Sequence, residues 1–206
     1  GYDSAGIATV NNGVLDRRRA VGKLVNLSDE LVHNPLAGKS GIGHTRWATH
    51  GAPSVINAHP HKAGPVAVVH NGIVENFREL REILATKGYK FVTETDTETV
   101  ALLAQSFIDA GKSPIEAANA TIDALTGAFA LCFLFDGEDD LLIAARKGSP
   151  LAIGHGDGEM FVGSDAIALA PMTDQVTYLE AHRHFRGGEL LYVCGWCINC
   201  AARAEH

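Results

Sequence analysis

Long apolar runs are missing from these 206 residues: the longest, at 128–135, covers eight positions, far short of a bilayer span. The start has neither the basic stretch nor the apolar core of a secretory signal, so a cytoplasmic protein with no membrane partner is expected. Basic charge is in deficit. Seventeen Lys and Arg against twenty-four Asp and Glu leave a net charge of −7, which argues against a broad nucleic-acid surface and favours a small-molecule substrate. No disulfide framework is implied: Cys132 lies inside the apolar run, where a small buried thiol is expected, and Cys194, Cys197 and Cys200 crowd the C-terminal end. No glycine-rich phosphate loop opens a helix, no internal repeat or low-complexity segment occurs, and no cofactor is expected. An initiator methionine is also missing, and the first residues already read as the interior of a folded unit. The expectation is a domain without its start.

What remains is ordinary globular composition, 46% hydrophobic and 20% charged, of a size for one domain. Ile7, Thr9 and Val10 alternate before Asn11-Asn12-Gly13, and Val14 and Leu15 resume after it, which predicts a hairpin. Ser28, with Asp29 and Glu30, predicts a short helix that stops near Asn34 because Pro35 disfavours helical geometry before it. Strands are expected over 42–47 and 66–70. Phe77, Leu80, Ile83 and Leu84 at helical spacing place a helix over 75–87, closed by Gly88. Thr95 with Glu98, and Ser113-Pro114 with Glu116, have capping-box spacing and start two more helices. From residue 128 the pattern is β, with strands at 128–135, 141–145 and 160–162 and turns at 136–137 and 154–158. Strands at both ends with helices bunched between them predict an α+β layered domain, not a βαβ nucleotide fold.

Four strings put polar residues where strands or helices end: GYDSAGIA at 1–8, GHTRWATHG at 43–51, HNGIVEN at 70–76 and ETDTE at 94–98. Arg46 reads either as a surface cation with its stem over the sheet or as a clamp for a carboxylate. Trp47 is ordinarily half-buried core, and Thr49 and His50 shape a turn. Asn71-Gly72 most often makes a tight hairpin. Here Glu75 and Asn76 follow at once and open a helix, so a strand-to-helix corner would expose the Asn71 amide and the Gly72 N–H as a pair of oxyanion donors. Asp96 reads as a helix-start carboxylate satisfying free N–H groups, or as the partner of a ligand ammonium. His44, His50, His59, His61 and His70 invite a zinc reading, but no HExxH-like spacing or cysteine pair accompanies them. Structural hydrogen-bonding histidines are expected, and no metal.

Taken together and in this order, the strings resemble the glutaminase domain of glutamine–fructose-6-phosphate aminotransferase, a class II glutamine amidotransferase. The resemblance runs from Gly1 to about Glu180 and includes GSPLAIG at 148–154 and FVGSDAIAL at 161–169. It implies an N-terminal-nucleophile hydrolase fold, a four-layer αββα sandwich, and an activity that cleaves the side-chain amide of L-glutamine. The ammonia passes to a sugar-isomerase domain of the same polypeptide, where bound fructose 6-phosphate becomes glucosamine 6-phosphate; members of the family are expected to be homo-oligomers. The family's nucleophile is an N-terminal cysteine whose own α-amine is the base. By the same resemblance Asn71 and Gly72 form the oxyanion hole, Arg46 holds the substrate α-carboxylate with Thr49 and His50 nearby, and Asp96 with the Gly72 backbone holds the α-ammonium. Trp47 lies on a loop that closes over the substrate, and His59 orients that loop.

Two departures follow. The family's opening strand and helix, with the cysteine, precede GYDSAG and are absent, so this chain is expected to be N-terminally truncated and not to hydrolyse glutamine at family rates. It would then be a glutamine-binding regulatory module if that is its natural form. The domain is expected over 1–180, and the tail over 181–206 departs from the family pattern. There Cys194, Cys197 and Cys200 with His182 and His184 superficially resemble a metal site, without a second paired knuckle.

Overall fold

The computed structural model describes residues 3–47, 52–178 and 189–194, the last by backbone alone. Strands β1 (Ser4–Asn11) and β2 (Val14–Val21) pair antiparallel about Asn12 and Gly13, whose φ angles of 51° and 77° give the turn that matches strand twist. Helix α1 (Leu24–His33) follows, then β3 (Ser40–Arg46), β4 (His61–Ala63) and β5 (Val66–Val74). Helices α2 (Phe77–Thr86), α3 (Asp96–Asp109) and α4 (Pro114–Ala124) come next. The chain ends its described course through β6 (Gly127–Phe135), β7 (Leu141–Lys147), β8 (Ala152–His155), β9 (Met160–Gly163), α5 (Ala166–Leu169), β10 (Val176–Tyr178) and β11 (Glu189–Cys194).

One sheet has the order β2-β1-β3, a second β11-β7-β6-β5-β4, and a small third β10-β8-β9. The central strand β6 shows why the first two stack. Its Phe129, Leu131, Phe133 and Phe135 join a core with Leu84, Val100 and Leu103 of the helices, whereas Ala130, Cys132 and Leu134 join a second core with Ala8, Val10 and Ile42 of the first sheet. Successive residues of a strand face opposite sides, so an apolar run is what a strand buried on both faces requires. With α1 against β1 and β2, and α2 to α4 against the far face of the second sheet, the layers run helix, sheet, sheet, helix. This is the α+β layered domain expected from the pattern of elements, and the four-layer αββα sandwich that the resemblance implies.

Several boundaries differ from the expectation. Helix α1 starts at Leu24, four residues before Ser28, with Lys23 at its cap and no side-chain capping bond, because the early turn buries Leu27. It ends against Asn34 as Pro35 dictates. Ser113 and Glu116 form the full reciprocal box, but Thr95 and Glu98 form half of one. The Thr95 hydroxyl accepts the Glu98 N–H, while the Glu98 carboxylate turns away to accept the N–H groups of Val92 (2.8 Å) and Thr93 (2.9 Å). The sequence reading assigns no strand to 189–194, yet that segment pairs antiparallel with β7.

Candidate active site

β5 runs four residues past the end expected for it, through Asn71 and Gly72, which are therefore neither a hairpin turn nor a strand-to-helix corner. β6 offers a partner over the whole length, pairing Asn71 with Ala130, Gly72 with Phe129 and Val74 with Gly127. Gly72 permits this at φ 122°, where a Cβ would collide with the Ala128 carbonyl. The corner into α2 comes only after Val74.

Strand alternation then sorts the polar residues. On β3, His44 and Arg46 continue the face of Ile42 towards the second sheet. On β5, Asn71 continues the inter-sheet face of Ala67 and Val69, whereas His70 continues the helix-facing row of Val66 and Val68. At this end of the sandwich the inter-sheet layer thus changes from apolar to polar. A cavity of about 160 Å³ opens there, lined by His44, Thr45, Arg46, Trp47, His59, His70, Asn71, Gly72, Thr95, Asp96 and Thr97. That is on the order of five waters by liquid volume, the scale of one small ligand.

Arg46 is 4% exposed, which removes the surface-cation reading. Burial lowers its pKa from the ordinary value, against the attraction of Asp3 and Asp96. Trp47 is 73% exposed at the cavity mouth, so it is not core. Asp96 does not cap its own helix; Thr95 does, and Asp96 Oδ2 instead accepts the Val74 N–H of β5 at 3.0 Å. Thr49 and His50 lie outside the described residues, as do His182, His184, Cys197 and Cys200; the Cys194 backbone belongs to β11.

Below the cavity the Thr97 hydroxyl joins three groups. It donates to Asp96 Oδ1 (3.4 Å), so its lone pairs accept from His59 Nε2 (2.9 Å) and His70 Nδ1 (3.1 Å). His61 Nε2 meets the Thr95 hydroxyl at 3.1 Å. Burial pushes the His59 pKa well below its ordinary value, helped by the neighbouring imidazoles, and brings His61 down to about 3, helped by Arg19 and Arg17. His59 and His61 are therefore neutral near pH 7. Among the described residues no group of three or more His, Cys, Asp or Glu is arranged to hold a metal ion.

The segment carrying His59 is strapped to the first sheet. Arg17 Nη1 donates to the Pro60 carbonyl at 2.8 Å, and Arg19 Nη1 donates to those of Ala58 (2.8 Å) and Ile56 (3.0 Å). Gly6 makes room: a Cβ there would collide with the His59 carbonyl. This gives a packing reason for the glycine in the opening string. His44, His70, Thr95 and Thr97 line the site without having been assigned to it from the sequence. His44 had a signal, lying two residues before Arg46 on a strand and so on the same face; Thr97 had only its place in the string ETDTE.

The family described as Glutamine amidotransferase domain matches residues 50–171. A glutamine–fructose-6-phosphate aminotransferase (isomerizing) of Brucella abortus is 64% identical over 180 residues, covering 87% of this chain and 30% of the relative. One from Zymomonas mobilis is 60% identical over the same shares. The chain thus spans about 30% of the length of the curated relatives it matches. The solved structure of glutamine phosphoribosylpyrophosphate amidotransferase from B. subtilis superposes with a TM-score of 0.72 at 24% identity, covering 92% of this chain and 43% of that one. That likeness shows a shared fold.

Proposed function

Because the chain belongs to the glutamine amidotransferase domain family, we propose that its polar cavity binds L-glutamine by both charged ends and presents the side-chain amide for hydrolysis. The observation that carries this reading is that Arg46, Asp96 and the pair Asn71-Gly72, from three separate stretches of the sequence, line one cavity. The Arg46 guanidinium takes the α-carboxylate, with Thr49 and His50 nearby, and Asp96 with the Gly72 backbone takes the α-ammonium. The side-chain carbonyl then rests against the Asn71 amide and the Gly72 N–H, which stabilise the oxyanion formed on nucleophilic attack. Trp47 covers the bound substrate, and His59 supports the segment beneath it.

The ammonia released is passed to a sugar-isomerase domain that binds fructose 6-phosphate, and the product is glucosamine 6-phosphate. The relatives' names and the share of their length matched here support this assignment. The nucleophile of such a domain is an N-terminal cysteine. Of the four cysteines in the 206 residues none is N-terminal, and Cys132 is buried between the sheets with its thiol pushed up to about 12. A polypeptide of these residues alone is therefore expected to bind glutamine without hydrolysing it at family rates, which also describes a glutamine-binding regulatory module.

Calorimetric titration of the chain with L-glutamine tests the clamp. Arg46→Ala and the near-isosteric Asp96→Asn should each weaken binding about tenfold or more, the scale of a lost charge-assisted hydrogen bond. Affinity unchanged from wild type in both variants, or no binding by the wild-type chain, overturns the reading. Substantial glutamine turnover by the 206-residue chain would instead show that the nucleophile has been misplaced.

A further inference from the structure

His44 Nε2 lies 2.7 Å from Asn71 Oδ1, joining β3 of one sheet to β5 of the other at the cavity wall. A carboxamide oxygen can only accept, so the imidazole must donate through Nε2. We infer that His44 is a positioning residue whose Nε2–H holds the Asn71 carboxamide by its oxygen and so turns the two amide N–H donors towards the cavity. The inference rests on the proposed role of Asn71 as an oxyanion donor.

Orientation matters because a carboxamide is nearly symmetric in shape and opposite in polarity at its two ends. Rotated by half a turn, Asn71 would present its oxygen to a developing oxyanion, and a stabilising donor would become a repelling acceptor. No other hydrogen bond to Oδ1 is present among the described residues to prevent that rotation. The ring of His44 is itself held, since it stacks on His59 with centroids 4.3 Å apart. His59 is fixed in turn by Thr97 and by the arginine straps on its segment. Burial lowers the His44 pKa, against the raising effects of Asn71 and of the His70 backbone. The lock does not depend on this, because both the neutral Nε2–H tautomer and the imidazolium donate through Nε2.

Long-range proton–nitrogen NMR of the imidazole rings in the 206-residue chain tests the hydrogen bond without any need for turnover. His44 should show a protonated Nε2, and Asn71→Ala should abolish that preference. A His44 ring protonated at Nδ1 alone, or one unmoved by Asn71→Ala, overturns the proposal.

Kinetics on the enzyme as encoded by its gene test the consequence. His44→Phe keeps a stacking ring and removes the donor, and should lower kcat for glutamine hydrolysis about 10- to 100-fold with KM within about threefold. His44→Gln keeps a donor and should recover most of kcat. Equal loss in the two variants, or a loss confined to KM, would reduce His44 to a packing residue. Glutamine binding that ignores Arg46→Ala and Asp96→Asn refutes the clamp instead, and leaves the NMR result to decide the Asn71 orientation.

Discussion

His59 Nε2 stands 2.9 Å from the Thr97 hydroxyl, both side chains buried, and His61 meets Thr95 alongside. The same hydroxyl accepts from His70 and donates to Asp96, so one oxygen sets the protonated nitrogen of two imidazoles beneath the cavity. Thr97→Val, similar in shape, leaves both imidazole N–H groups without their acceptor. Stability should fall by about 1–3 kcal/mol, the cost of stranding buried polar groups. Thr97→Ser, which keeps the hydroxyl, should cost less. Urea denaturation of the two variants compares them directly, and a valine variant as stable as wild type would mean that the hydroxyl holds nothing.

The buried imidazoles also set a pH dependence. His61 is held down to about 3 and His59 well below its ordinary value, chiefly by burial, whereas both titrate near 6.5 once unfolded. Between these limits the unfolded chain binds more protons than the folded one, so stability rises with pH there. The full contribution is present above about pH 6.5 and is lost as the pH falls towards the folded values. Denaturation midpoints should therefore drop from pH 7 to pH 4.5, with a slope of up to about 1.4 kcal/mol per pH unit for each proton. His61→Gln should remove one proton's share of that slope; an unchanged slope would show that His61 is not held neutral.

Gly72 sits at φ 122° with the Ala128 carbonyl where a side chain would go. Gly72→Ala combines an unfavourable backbone with a collision inside the central strand pair, and should destabilise the protein by more than about 2 kcal/mol. Glutamine affinity should fall in parallel, because the strained strand carries the Asn71 and Gly72 donors together. Thermal denaturation and titration of one preparation give both readings. A stable variant with lost binding would separate the two roles.

Much of the fold can be read from local chemistry. The Asn12-Gly13 hairpin, the Ser113 capping box, the arrest of α1 before Pro35 and the doubly buried strand at 127–135 each follow from a few adjacent residues. The strings that carry Arg46, Asn71, Gly72 and Asp96 were legible for the same reason, because polar residues gather there where strands or helices begin or end.

What the sequence by itself determined was the type of each long element and the family those strings belong to, since both reside in short stretches of chain. Only the tertiary structure decided that Asp96 serves Val74 and not its own helix end, that β5 continues through Gly72, and that His44 grips Asn71. These relations join residues of different strands and helices. Their energy comes from hydrogen bonds whose partners are brought together only when two sheets and three helices pack, and no local pattern encodes which donor will find which acceptor.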